Sequence, residues 1–327
     1  MLFCGEEEAL DKMKVTPMMA SSSPPRHWFP LLFLSLLLVV PPVLAHGGPP
    51  DPPTHHGGSV LSGNLNLALL WYGPFGRGQK RVIRSFINSL NYNAGANLEP
   101  QVSSWWRVVE SYQSFAKPGG AHGPAPPIRV KVVRQVGYRD YSIGKVLTVD
   151  FIKPLVEKAV AGAPKSLAVI FAGRGVAVQG LCMGKCAIHG VFGTQPYIVV
   201  GDPETECPGA CAWPFYQSDY GPRGVILQPP NGNVGTDAMV VALASGLAEA
   251  VTNPFNDGFF SGLPMMQTEV SDACPNMFGS GALPGYTGKV RIDPLTGGGF
   301  NAHGARGKKF LLPAIWNPKT ASCYTTL

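Results

Sequence analysis

The sequence predicts an α/β or α+β fold: a single domain with a mixed sheet and packed helices, ending in a loop-rich part clamped by disulfides. Three observations carry this expectation. Strand-like apolar runs alternate with runs of helical period between residues 61 and 253. Glycine (40) and proline (32) are abundant and charged residues scarce (14%), so turns are many, yet the 45% of hydrophobic residues is enough for a core. Once the leader is set aside, the cysteines number six, an even count that reads as a disulfide framework in an exported chain.

The first 45 residues read as a leader. WFPLLFLSLLLVV at 28–40 is uncharged, follows Arg26, and exits through PPVLA, with Val43 and Ala45 at the small-residue positions of a cleavage site. The run is too short to span a membrane, which takes about 20 apolar residues. EEEALDK precedes it, and Met18 or Met19 would give a more conventional start, so residues 1–17 read as an upstream extension. Removing 1–45 takes Lys+Arg from 26 to 23 and Asp+Glu from 20 to 16, a net charge of +7, and removes Cys4. A modestly basic exported protein would be drawn to polyanions, against the rival reading that its net charge only aids solubility. No further apolar run of about 18 residues follows, so no membrane anchor is expected. No N-x-S/T sequon occurs.

Residues 46–58, HGGPPDPPTHHGG, have little to bury and read as a flexible lead-in, with His55 and His56 in a mobile tail. The domain proper is expected over 59–327. LNLALLWYG at 65–73 is a strand ending at a glycine turn. KRVIRSFINSLN at 80–91 places Val82, Ile83, Phe86, Ile87 and Leu90 on one helical face. VSSWWRVVESYQSF at 102–115 repeats its apolar positions at three and four. IRVKVVRQVGY at 128–138 alternates as a strand, and VDFIKPLVEKAVAG at 149–162 is helical despite Pro154. SLAVIFAG and PYIVVGD, at 166–173 and 196–202, read as buried strands. VGTDAMVVALASGLAEAVTNP at 234–254 is the longest helix, with Thr236 or Asp237 as its cap. Beyond Pro254 the chain turns glycine-rich and irregular.

Several stretches together resemble the EXORDIUM-like, or phosphate-induced, proteins of plants: LSGNLNLALLWYGPF at 61–75, SSWWRVVESY at 103–112, VAVQGLCMGKCAIHG at 176–190 and GDPETECPGACAWPF at 201–215. VGTDAMVVALASGLAEAVTNPFNDGFF at 234–260 and the segment 281–318 continue the resemblance, which runs in order over about 59–324. It implies a secreted protein of the apoplast or cell wall, linked to growth, cell expansion and brassinosteroid response. It carries over no catalytic residue and no cofactor.

ASGLAEAVTNP at 244–254 reads like a zinc-peptidase helix of the form S-H-E-x-x-E-x-x-T-D-P with its key residues gone. Ser245 stands at the ligand position, Gly246 at the general base, and only Glu249 could still coordinate; a catalytic zinc needs three protein ligands. The expectation is a degenerate zincin-like scaffold without its metal, set against a plain core helix with one exposed Glu. Cys186 lies three residues from His189, but Cys182, Cys186, Cys207 and Cys211 share a spacing that favours disulfides over a nucleophile or zinc. Sequence proximity pairs Cys182 with Cys186, Cys207 with Cys211, and Cys274 with Cys323, while leaving a crossed arrangement of the first four open. Trp71, Trp105, Trp106, Trp213 and Trp316 read as core, with sugar stacking as the rival use. Asp202, Glu204 and Glu206 form an acidic loop that reads as solvated rather than calcium-binding. The functional expectation is a non-enzymatic binder of a wall polysaccharide or an extracellular signalling protein, with no nucleic-acid partner. The alternative is a divergent extracellular hydrolase, peptidase- or glycan-active.

Overall fold

Alternation along the first long strand fixes two layers. In β2 (Asn64–Tyr72), Leu65, Leu67, Leu69 and Trp71 point to one face, and Ala68, Leu70 and Tyr72 to the other; all are buried. A strand apolar on both faces needs cover on both sides. The computed structural model, which describes residues 51–117, 124–219 and 224–327, supplies it. The leader, the cleavage site after Ala45 and residues 1–17 lie outside the described residues.

After a short β1 (Thr54–His55) and β2 come α1 (Arg77–Ser89), α2 (Val102–Phe115) and β3 (Arg129–Tyr138). Then follow β4 (Val146–Leu147), α3 (Val149–Val160), β5 (Ser166–Ala172), β6 (Ala177–Val178), β7 (Ala187–Phe192) and β8 (Gln195–Val200). The turn α4 (Pro208–Cys211) leads to α5 (Val234–Thr252), β9 (Phe259–Leu263) and β10 (Met266–Thr268). The main sheet is mixed, in the order β3-β2-β5-β8-β7; four strands are parallel and the edge strand β7 runs antiparallel to β8. Residues of α1, α2 and α5 pack on one face, and α3 covers the other. The described residues cluster as one compact unit. The mixed α/β class read from the alternating runs is the class found.

Helix α5 is apolar nearly all round and is buried along most of its surface, as such a helix must be, with Val241 and Ser245 half-buried on its outer side. Its N-cap is Asn233, whose Oδ1 accepts from the Thr236 N–H at 2.9 Å, rather than Thr236 or Asp237. Asp237 instead binds Asn231, accepting from its backbone N–H at 2.9 Å and its side-chain amide at 2.7 Å. Gly246 is where α5 meets the sheet: a Cβ there would lie 3.0 Å from Ile198 Cγ2 and 3.2 Å from Ala187 Cβ.

The flexible lead-in is corrected for its second half. Thr54 and His55 pair with Phe260 and Phe259, and the His56 ring stacks on Phe260 at 3.7 Å. Two adjacent aromatics on β9 give the histidines apolar surface to cover, which reading the segment alone does not reveal. The neighbour pairing of the first four cysteines is also corrected. Cys182 joins Cys207 and Cys186 joins Cys211, with Cα atoms 5.7 and 5.4 Å apart, while Cys274 joins Cys323. Two segments lying side by side make the crossed bridges, each of which closes a span of 25 residues. In the chain-entropy model that contributes about 3.5 kcal/mol per bridge, against about 2 for a four-residue span. The Cys274–Cys323 bridge, 49 residues apart, ties a tail built of two-stranded ribbons to the body. All five tryptophans singled out above are buried, at 9% exposure or less.

Because Leu243 is fully buried between sheet and helices, Leu243→Ala is expected to lower stability by about 3 kcal/mol in urea unfolding.

Candidate functional site

A cleft of about 600 Å³ opens beside the edge strand β7, between the loop carrying Lys185, the outer side of α5 and the segment after β10. Its walls include Trp213, Phe278 and Pro313. Ser245 and Glu249, one turn apart on α5, both line it. Gly246 faces the sheet instead, so the position compared above with a general base is closed against Ile198 and Ala187.

Glu249 is 2% exposed, so the expectation of an exposed residue is overturned. Its apolar helix has no solvent face at that turn, and the chain after β10 folds over it. Four other charged or titratable groups gather there from distant points in sequence. Lys185 Nζ lies 2.5 Å from Asp272 Oδ2, 3.2 Å from Glu269 Oε2 and 3.6 Å from Glu249 Oε2. His189, on β7, brings Nε2 to 2.8 Å from Glu269 Oε1. Asn253, the C-cap of α5, donates to the same oxygen at 2.7 Å, and Ser271 Oγ donates to Glu249 Oε1. Asp272 Oδ2 also accepts the Glu269 N–H at 3.2 Å, closing the turn that presents both acids.

The two glutamates are driven apart in proton affinity. Burial, with the charges of Asp272 and Glu269, raises Glu249 well above the usual carboxylate range against the opposing pull of Lys185 and Ser271. Burial also pushes Glu269 upward, but the hydrogen bond and charge of His189, with Lys185 and Asn253, outweigh it and hold Glu269 at about 2. Lys185 is partly desolvated, which favours loss of its proton; Glu249, Asp272 and Glu269 together reverse that and raise its pKa.

Ligating atoms of His189, Glu249 and Glu269 lie within 4.8 Å of one another, the one such group among the described residues. A cation already serves it: the Lys185 ammonium is within 4 Å of both glutamates. The cluster therefore acts as a clasp, fastening the Lys185 loop and the 269–272 turn to the end of α5. Cys186 is bonded to Cys211, so it is no partner for His189 as a nucleophile. Asp202 is buried and accepts the Glu204 N–H at 3.1 Å; the acidic loop gathers no metal-sized ligand set. Lys185, Glu269 and Asp272 escaped the sequence reading because no spacing links positions 185 and 272; the one local hint is a lysine set next to Cys186.

The family model described as phosphate-induced protein 1 conserved region matches residues 54–326. The chain belongs to this family. Among its relatives, Protein EXORDIUM-like 6 of Arabidopsis thaliana is 42% identical over 299 residues, covering 82% of this chain and 90% of that protein. Protein EXORDIUM of Arabidopsis thaliana is 39% identical over 278 residues, covering 82% and 87%. Protein PHOSPHATE-INDUCED 1 of Nicotiana tabacum is 38% identical over 278 residues, covering 82% and 86%. No solved structure matches the chain. The match begins at Thr54, where β1 also begins, so the histidine-bearing strand lies inside the family's conserved region.

Lys185→Met would leave buried carboxylates without their counter-charge, and is expected to lower stability by about 3 kcal/mol at neutral pH. Lys185→Arg should retain most of it, and urea unfolding of the two variants makes the comparison. The pH dependence has two signed parts. Glu249, raised on folding, contributes stability that is full below its unfolded value near 4.5 and is lost as pH rises through its raised value. Glu269, lowered to about 2, contributes stability present above 4.5 and lost as pH falls toward 2. Stability should therefore be greatest in the mildly acidic range, and Glu249→Gln should flatten the decline on the alkaline side.

Proposed function

We propose that the chain is an exported protein of the plant apoplast that acts in growth and cell expansion by binding a wall component or an extracellular signalling partner, and not by catalysis. The growth and brassinosteroid link rests on the resemblance to the EXORDIUM-like family. The pairing of all six cysteines after residue 45 supports an oxidising compartment.

The observation that carries the non-catalytic part is the Lys185 clasp. The carboxylates nearest the cleft are committed to a lysine, a histidine and an asparagine of the same chain, and the two glutamates are under 5% exposed. Partners of the same chain thus occupy these groups, which supports a structural role for them. One observation favours the second reading, a divergent hydrolase: neighbouring Glu249 and Glu269 have proton affinities pushed in opposite directions, the pattern of an acid–base pair.

Two measurements test the proposal, and the second separates the two readings. In plant tissue expressing a C-terminally tagged chain, the protein is expected in apoplastic wash fluid with a mature end after Ala45; retention in the cytosol would overturn the proposal. Purified mature protein, offered wall glycans and unfolded peptides at mildly acidic and neutral pH, is expected to turn over neither. Turnover abolished by Glu249→Gln in a folded variant would establish the hydrolase instead.

A further inference from the structure

The second conspicuous concavity lies at the opposite edge of the sheet and carries a different chemistry. A groove of about 730 Å³ runs along the free edge of β3, bounded by α1 on one side and the start of β2 on the other. Three cations line it: Arg84 from α1, and Arg129 and Lys131 from β3. Asn64, Asn66 and Asn88 set side-chain amides among them, and no carboxylate lines the groove.

The fold builds this surface from two stretches without acids. No Asp or Glu occurs between Asp51 and Glu99, or between Glu110 and Asp140, while the same stretches hold nine Lys and Arg. Neither Arg84, Arg129 nor Lys131 makes an ion pair among the described residues. Glu110 feels the charge of Arg129, but its Oε1 is committed to the Ile128 N–H at 2.8 Å. Asn91 shapes the groove wall: its amide oxygen accepts the Val130 N–H at 2.9 Å and its nitrogen donates to the Val130 carbonyl at 2.5 Å. One side chain thus stands in for a neighbouring strand, closing the edge to β-pairing at that point and leaving the side chains to do the recognising.

We propose that this groove binds an acidic polysaccharide, a polymer whose uronate carboxylates alternate with hydroxyls along an extended chain. Guanidinium groups take carboxylates in two-pronged hydrogen bonds, and the amides of Asn64, Asn66 and Asn88 offer donors and acceptors to hydroxyls. Nucleic acid is the other common polyanion: single strands are held by aromatic stacking, and no aromatic side chain lines the groove, while duplex DNA is the rival that the test below addresses. The polymer's identity as a uronate rests on the extracellular reading above; the anionic specificity rests on the groove alone.

The test uses purified mature protein and unesterified polygalacturonate, with methyl-esterified pectin and duplex DNA as comparison probes. One variant combines Arg84→Gln, Arg129→Gln and Lys131→Gln. A control removes equal charge elsewhere through Lys165→Gln, Lys289→Gln and Lys319→Gln; these are exposed residues outside the groove. Polygalacturonate should bind the native chain in a salt-sensitive way, more tightly than either comparison probe. Affinity should fall at least about tenfold in the groove variant, and much less in the control. The melting temperatures of both variants show whether each remains folded. Equal losses in the two variants would reduce the effect to net charge and overturn the proposal, as would DNA binding as tight as that of polygalacturonate. Failure of this test with the protein still found in the apoplast would remove the groove assignment and leave the functional proposal standing.

Discussion

Helix α5 is apolar nearly all round and shows water little beyond Val234, Val241 and Ser245, and much of the molecule is arranged to accommodate that. Its sheet side is packed so closely on β7 and β8 that glycine occupies the contact at position 246. Its other sides are covered by α1, α2 and the segments that follow it. Covering a helix end this completely also buries whatever polar groups it carries. Glu249 is the group that goes under, and an unpaired carboxylate in that position would cost several kcal/mol. The Lys185 ammonium, reached through a loop stapled by two disulfides, compensates it together with Glu269 and Asp272. Disulfide placement, cleft shape and the charge cluster are thus linked consequences of one apolar helix.

Much of the architecture was legible because it is written in local period. The helix read at 102–115 has those bounds in the structure, and all four parallel strands of the sheet were marked by apolar runs. The edge strand β7 was not, because AIHGVF mixes a glycine and a histidine into a short run that neither alternates nor stays apolar. The crossed disulfides and the lead-in strand were missed for another reason. Both depend on which distant segment lies alongside, and spacing within one segment is silent about that. The same holds for the candidate site: Glu249 was visible through the likeness of its stretch to a zinc-peptidase helix, but its partners at 185, 189, 269 and 272 are joined only by the fold.

The two concavities divide the electrostatics of the chain. Around Lys185, opposite charges are brought within hydrogen-bonding distance under cover of apolar walls, where the field is strong but spent internally. Along β3, cations stand apart in water with few acids near them, so their field projects outward and weakens with salt. The first arrangement is suited to holding a shape, the second to meeting something.

The equal spans of the two crossed bridges have an analytical consequence. A chain with Cys182 joined to Cys186 and Cys207 to Cys211 would have the same mass as the native one, the same absence of free thiols and the same number of disulfides. A titration reading full oxidation therefore does not certify the native isomer; only the identity of the joined peptides does. In the neighbour-paired isomer the Lys185 loop would no longer be anchored to the 207–211 segment, so a preparation of perfect composition could contain molecules whose ammonium is unmoored from its carboxylates. Redox handling during purification is then a conformational variable, not just a chemical one.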